Sequence, residues 1–303
     1  MHKIALLISV IIILTSCKIF NNKNENRTDL EGIEIFELKP GVFISNLPKE
    51  LSEGSGLIYY NNLFWSFNDS GGDNVIYAFD RIGQIQKVVK ISNANNVDWE
   101  DIAQDDKYIY IGDFGNNSGT RKNLKIYRIS KNDLDKGKKI EVNGEAISYA
   151  YQNQEKFNFR QHNNAFDCEA LVENDQKLFI FTKNWINKNT VVYVMPKNIG
   201  EYNLSPIDSF NVDGLITGAD ISPDKTKLAL IGYRDFKPIM RLFTKISNNN
   251  FFAGERIFIK MDSIIGAQTE GICFLGNDTL LISCERTREF EQQVFFVDLK
   301  EIY

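Results

Sequence analysis

Hydrophobic and polar positions alternate along this chain in short runs of five or six residues. The runs are rich in Ile, Val, Tyr, Phe and Trp and are bounded by Asn, Asp, Gly and Ser, which is the signature of short strands. The pattern recurs. Ser55-Gly56-Leu57, Glu100-Asp101-Ile102, Glu169-Ala170-Leu171, Ala219-Asp220-Ile221 and Glu270-Gly271-Ile272 each open a similar unit, and successive starts lie 45, 69, 50 and 51 residues apart. Second and third strands follow in each unit, for example Leu63 to Phe67 with Val75 to Phe79, and Thr279 to Cys284 with Gln293 to Leu299. A more polar fourth strand is predicted at Gln84 to Ile91, Glu145 to Tyr151, Ile207 to Val212 and Arg256 to Met261.

Four antiparallel strands at a period near 50 predict an all-β fold, a β-propeller. Five blades are counted. Residues 151–168 or Pro40 to Leu51 leave room for a sixth. The last unit ends at Tyr303 without a fourth strand, so the run Ile33 to Leu38 is predicted to pair into that blade and close the ring.

The N-terminus divides the chain into three parts. Lys3 precedes an apolar stretch from Ile4 to Leu14, too short to span a bilayer, and Leu14-Thr15-Ser16-Cys17 resembles a bacterial lipobox. Residues 1–16 are therefore predicted to be a lipoprotein signal peptide, and Cys17 the lipidated residue. Residues 17–31 then form a flexible tether and residues 32–303 the propeller. The expected location is the bacterial cell envelope, anchored by lipid to a membrane, with the outer membrane the expected one. A net charge of −5 with no basic stripe argues against nucleic-acid binding.

Outside the leader the cysteines are Cys168, Cys273 and Cys284. A hairpin turning near Asn277 sets Cys273 against a residue near Leu281 and puts Cys284 out of register, so free buried thiols are expected. Beyond the leader only His162 is available as a histidine, which leaves nucleophilic triads and His/Cys zinc sites without support.

Propeller geometry gathers the inner-strand starts and the loops between second and third strands around one channel mouth. The residues placed there include Glu53, Glu100, Asp101, Glu169, Asp220 and Glu270 from the starts, and Asn68, Asp69, Asp113, Lys183, Arg234, Glu285 and Arg286 from the loops. The long insertion adds Arg160, His162 and Asp167 before the third inner strand. Acidic residues at such starts also serve a structural purpose, accepting backbone N–H bonds from the neighbouring blade. Crowded carboxylates otherwise call for a cation, and calcium held by Glu100, Glu169, Glu270, Asp69 and Asp113 is the expectation. Trp65, Trp99 and Trp185 are expected to pack between blades.

The openings Glu53-Gly-Ser-Gly-Leu, Asp98-Trp-Glu-Asp-Ile-Ala, Asp167-Cys-Glu-Ala-Leu and Thr269-Glu-Gly-Ile, with the loops Asn68-Asp-Ser-Gly-Gly and Gly112-Asp-Phe-Gly-Asn-Asn, resemble envelope β-propellers of the SdiA-regulated and phytase-like (esterase-like) families. The phytase side of that resemblance implies calcium and phosphate-ester chemistry at the mouth. Two functions follow as expectations. One is a binding module whose acidic mouth holds a small molecule, a glycan or a partner protein. The other is a calcium-assisted hydrolase of phosphoesters or lactones, with Glu169 or Glu270 activating water. No catalytic nucleophile is assigned.

Overall fold

The computed structural model describes residues 33–303; the signal peptide, Cys17 and the whole of the tether predicted above lie outside the described residues. Twenty of the strands form five antiparallel four-stranded units. Blade one comprises Gly54–Tyr60, Leu63–Asn68, Val75–Phe79 and Ile85–Ile91. Blade two comprises Trp99–Gln104, Tyr108–Asp113, Lys125–Ser130 and Glu145–Tyr151. Blade three comprises Asp167–Asn174, Lys177–Lys183, Asn189–Pro196 and Pro206–Asn211. Blade four comprises Leu215–Ile221, Lys227–Arg234, Lys237–Thr244 and Glu255–Lys260. Blade five comprises Thr269–Phe274, Thr279–Cys284, Gln293–Asp298 and, from the N-terminal side, Gly41–Ile44. The first strand of each blade neighbours the first strands of the next and the preceding one, so the five line a closed central channel.

Alternating apolar residues on each strand bury one face of every blade against the next. The result is five apolar clusters, one per seam. Trp65, Phe67, Trp99 and Ile111 join blades one and two; Tyr110, Phe114, Tyr151 and Tyr193 join two and three. Phe179, Phe181, Phe243 and Phe251 fill the next seam, Met240, Leu242 and Phe295 the fourth, and Leu51, Phe64 and Leu281 the last. Burying each such side chain contributes about 1.5–3 kcal/mol, which is how sheets this small hold a ring. Trp65 and Trp99 pack between blades as expected, whereas Trp185 stands at the mouth.

Ring closure differs from the expectation in its strand. Gly41–Ile44 closes blade five, pairing antiparallel with Gln293–Asp298 (Gly41 opposite Phe296, Ile44 opposite Val294). Ile33–Glu37 instead pairs parallel with Glu255–Lys260 at the rim of blade four. Pro40-Gly41 reads as a turn in sequence, yet Gly41 is a strand residue lying under the Phe296 ring, where a β-carbon would come within 2.3 Å of the ring. There is no sixth blade among the described residues: 152–166 form a connection, and Pro40 to Leu51 holds the closing strand and one 3-10 turn, Lys49–Leu51.

Two further rim strands have the same character as Ile33–Glu37. Lys139–Val142 pairs parallel with the outer strand of blade one, and Gly200–Leu204 with that of blade two. In each case the segment just before a blade's fourth strand reaches back to the blade before it. The seams between blades one and two, two and three, and four and five are thus tied by backbone hydrogen bonds at the rim. The seams between three and four and between five and one are not.

Cys273 sits opposite Leu281 in the blade-five hairpin, and Cys168, Cys273 and Cys284 are free and buried, as the register argument required. Burial pushes the Cys168 and Cys273 thiols well up, and Cys284 to about 11, so none is a reactive thiolate.

Candidate functional site: the carboxylate mouth of the channel

Each inner strand carries a β-bulge near its start. The pairing register slips between Ser55 and Ile58, Trp99 and Asp101, Cys168 and Ala170, Ile216 and Gly218, and Thr269 and Ile272. A bulge re-aims side chains that regular alternation would send elsewhere. The residues at the slips are Gly56 with Leu57, Glu100, Glu169, Thr217, and Glu270 with Gly271. Three blades therefore bring a glutamate to the channel. In the other two a hydroxyl near the bulge is used to tie blades: Ser55 Oγ donates to the Glu100 carbonyl and Thr217 Oγ1 to the Thr269 carbonyl at 2.7 Å. Structurally the counterpart of Glu169 in blade four is Thr217, not Ala219. Gly56 has a φ of +64°, and a β-carbon on it would meet the backbone nitrogen of Ile102 at 2.9 Å, so blade two packs there only against a glycine.

Glu100, Glu169 and Glu270 surround Lys183, which comes from the end of blade three's second strand. All four are more than nine-tenths buried. Lys183 Nζ donates to Glu169 Oε2 at 2.5 Å and lies 5.1 Å from the ring centres of both Trp185 and Tyr233. Burial works against the Lys183 charge, but Glu169, Tyr233, Glu270 and Asp167 outweigh it and raise its pKa well above the lysine range. The ammonium is therefore permanently charged.

One lysine does not neutralise the acids around it. Burial, then the neighbouring Glu169 and Asp98, holds the Glu100 carboxyl well above its ordinary value. Burial pushes Glu270 up to about 7, with Lys183 opposing and Asp69 adding. Glu285 rises to about 9 through burial and the charges of Glu270, Asp69 and Glu53, and Asp69 to about 6 through burial and Glu53. Neither the Glu100 nor the Glu285 carboxylate has a hydrogen-bond partner among the described residues, although each is only 7 % exposed.

The remaining predicted site residues separate into two groups. Asp101 and Asp220 are structural. Asp101 accepts from the backbone N–H of Ile102 (2.8 Å), Leu171 (2.7 Å) and Ala219 (3.3 Å), binding three inner strands with one carboxylate; Asp220 accepts from Ile221 (2.8 Å) and Phe274 (2.7 Å). Asn68 holds its loop through Glu50 O and Glu53 N–H. Asp113, expected among the metal ligands, turns instead to Arg121 at 2.8 Å, a loop cation that reads in sequence as part of a turn. The rest lie on the rim. Glu53 is exposed there, Arg234 pairs with Asp213, Arg286 lies 3.6 Å from Glu291, and His162 stacks on Trp185 at 4.3 Å.

Sequence reasoning missed Asp98 and Tyr233 as parts of the site. Asp98 rises to about 6, chiefly by burial and by the nearby Asp167, and its Oδ2 crowds the same point beside Gly115 as Glu100 Oε1. Asp167 accepts from Trp185 Nε1 at 2.7 Å and from Asn116 N–H at 2.6 Å, fastening the insertion to the rim. Its position directly before the third opening is what places it at the mouth in the sequence reading. Tyr233, at the end of a strand, carried no such signal. On the mouth side Tyr233 and Phe236 stand between two cavities, one of about 510 Å³ reaching Gln268 and Thr287, the other of about 610 Å³ reaching Trp185 and His162.

The donor set of the mouth, carboxylate oxygens alone, is what a hard cation such as calcium takes. Among the described residues, however, no three His, Cys, Asp or Glu side chains converge as they would around one metal ion, and Lys183 stands in their midst.

No known protein family matches the chain, and no curated protein does. Solved structures resemble it in fold. A PQQ-bound aldose sugar dehydrogenase from Streptomyces coelicolor is 10 % identical over 85 % of this chain and 96 % of that one, with a TM-score of 0.51. The calcium-binding protein regucalcin from Agrobacterium tumefaciens str. C58 is 11 % identical over 87 % and 94 %, with a TM-score of 0.43. Such neighbours are β-propeller proteins. At these identities the likeness carries the fold alone and does not confirm the narrower resemblance to SdiA-regulated and phytase-like propellers.

Proposed function

We propose that the channel mouth binds a positively charged ligand and that the protein is a binding module. The observation that carries this reading is a pair of largely buried carboxyl groups with no hydrogen-bond partner among the described residues, Glu100 and Glu285, both held up in pKa by burial and neighbouring acids, in a site whose acids outnumber its one lysine. Ionising such a group without a partner is costly, and a cation that enters removes that cost. An organic ammonium or guanidinium group suits the arrangement best. It donates to carboxylates on one side and lies against the Trp185 and Tyr233 rings on the other, with no need for converging ligands. Calcium fits the donor chemistry but asks more of the geometry.

Calorimetry of the full-length protein with calcium chloride, spermidine and arginine methyl ester tests the proposal. Binding of an amine or of calcium, weakened at least about tenfold by Glu100→Gln combined with Glu285→Gln, supports it and names the cation class. No heat with any of the three at millimolar concentrations refutes it.

One observation favours a hydrolase as a second reading. With its pKa near 7, the Glu270 carboxyl is half-ionised at neutral pH, as a general base needs. Turnover of a phosphoester or a lactone, lost in Glu270→Gln, is the result that would move the assignment. The proposal also includes anchoring to an envelope membrane through Cys17, which rests on the leader sequence alone.

A further inference from the structure

A second charged site lies on the side of blade four that faces blade three, and it shares Asp213, Arg234 and Asp235 with the mouth-side cavity that reaches Trp185 and His162. Arg241 lies in the middle of blade four's third strand and is only 4 % exposed. Its Nε donates to Val212 O at 2.7 Å and its Nη1 to Met240 O at 3.2 Å, and the guanidinium lies 3.6 Å above the ring centre of Phe258. These contacts fix the plane and direction of the group but do not neutralise it. Among the described residues no carboxylate forms an ion pair with Arg241, and Nη2 has no acceptor.

The guanidinium borders a cavity of about 420 Å³. Lys237 and Lys260 also line it, and neither forms an ion pair among the described residues. Three carboxylates stand on the same walls, but Arg234 engages two of them, Asp213 directly and Asp235 at 3.7 Å. Asp262 alone remains to face Lys237, Arg241 and Lys260. Positive charge is thus in excess, and its most buried member is oriented and without a counter-ion. Burial of an arginine in this state is unfavourable, and its pKa is pushed down to about 9 by burial and by Arg234, against the opposing charge of Asp213.

We propose that this cavity on blade four is an anion-binding site, in which the open edge of the Arg241 guanidinium and the Lys260 ammonium hold a carboxylate or phosphate group of a small ligand. The guanidinium offers the remaining Nη1 proton and both Nη2 protons, the planar fork that matches two oxygens of an oxyanion. Lys260 supplies charge without fixed direction. The Phe258 ring closes the cavity beneath the guanidinium and keeps water from its other face.

The test is calorimetric titration of the full-length protein with inorganic phosphate and, separately, with acetate, at constant ionic strength and up to about 10 mM, where millimolar affinities are measurable. Binding of either anion is expected, the stronger of the two giving the ligand's class. Arg241→Lys, which keeps the charge and loses the fork, is expected to weaken it at least about tenfold. Should that variant fail to fold, Lys260→Gln on the exposed wall is expected to weaken binding several-fold with an unchanged melting temperature. Glu285→Gln at the channel mouth is expected to leave it unaltered. An absence of binding by both anions, or an affinity indifferent to both the Arg241 and the Lys260 substitution, would overturn the proposal.

Discussion

Glu270→Gln is expected to stabilise the protein at alkaline pH and to do little at acid pH. Glu270 is buried beside Asp69 and Glu285, and its folded pKa of about 7 lies above the ordinary 4.5. A carboxyl whose pKa rises on folding binds its proton more tightly in the folded state. Stability therefore falls as pH rises from about 4.5 to about 7 and is level above that. Each pH unit of that interval corresponds to about 1.4 kcal/mol, so the ionised carboxylate costs up to about 3 kcal/mol at pH 8. Protonation of Glu285, which itself rises to about 9, relieves part of that cost, and a gain of about 1–3 kcal/mol is the expectation for the glutamine. For a chain of this size that amounts to several degrees in melting temperature. Urea or thermal unfolding at pH 5, 6, 7 and 8 in the presence of a chelator reads it directly. The difference between variant and wild type is expected to grow with pH and to vanish near pH 5. A variant less stable than wild type by the same amount at pH 5 and pH 8 would refute the reasoning, because the attraction to Lys183 would then outweigh burial.

Glu169→Gln is expected to act in the opposite sense. It takes from Lys183 its direct partner at 2.5 Å, and urea unfolding at pH 7 is expected to show a loss of about 3 kcal/mol. Asp101→Asn keeps the shape of the side chain but replaces one N–H acceptor by a donor among three inner strands, and the same assay is expected to register about 2–4 kcal/mol. Truncation before residue 40 removes the parallel rim strand and truncation before residue 46 also removes the closing strand, so the second is expected to lower the urea midpoint far more than the first. Cys17→Ala is expected to move the protein out of the detergent-partitioning fraction, and an unchanged distribution would sink the lipoprotein assignment.

Much of the fold could be read from periodicity, because antiparallel hairpins are local and their strands alternate apolar and polar residues. Lys139–Val142 and Gly200–Leu204 escaped notice for the same reason: their partners lie in the preceding blade, and nothing local distinguishes a four- or five-residue parallel strand from a loop. Ile33–Glu37 was recognised as a strand, and its partner was misjudged because alternation says nothing about which edge a strand joins. The site was partly visible. The glutamates at 100, 169 and 270 stood out as repeated openings, and Lys183 as a cation in the loop that faces them. Sequence did not separate the acids that point into the mouth from Asp101 and Asp220, which point at neighbouring backbone. That separation depends on bulges, where one additional residue turns a side chain through the sheet.

The uneven distribution of parallel rim strands sets an order in which the ring comes apart. Outer-strand amides in blades one, two and four have a strand on either side, so their exchange with solvent requires a rim strand to detach. The outer strand of blade three, Pro206–Asn211, has none on its far side and is exposed over most of its length. Pro206 and Asp208 discourage its pairing with another molecule, but they do not slow its own opening. Deuterium is therefore expected to enter first along Pro206–Asn211, beside the untied seam between blades three and four. That seam is a line along which the ring flexes, with blades one to three moving as one arc and blades four and five as the other.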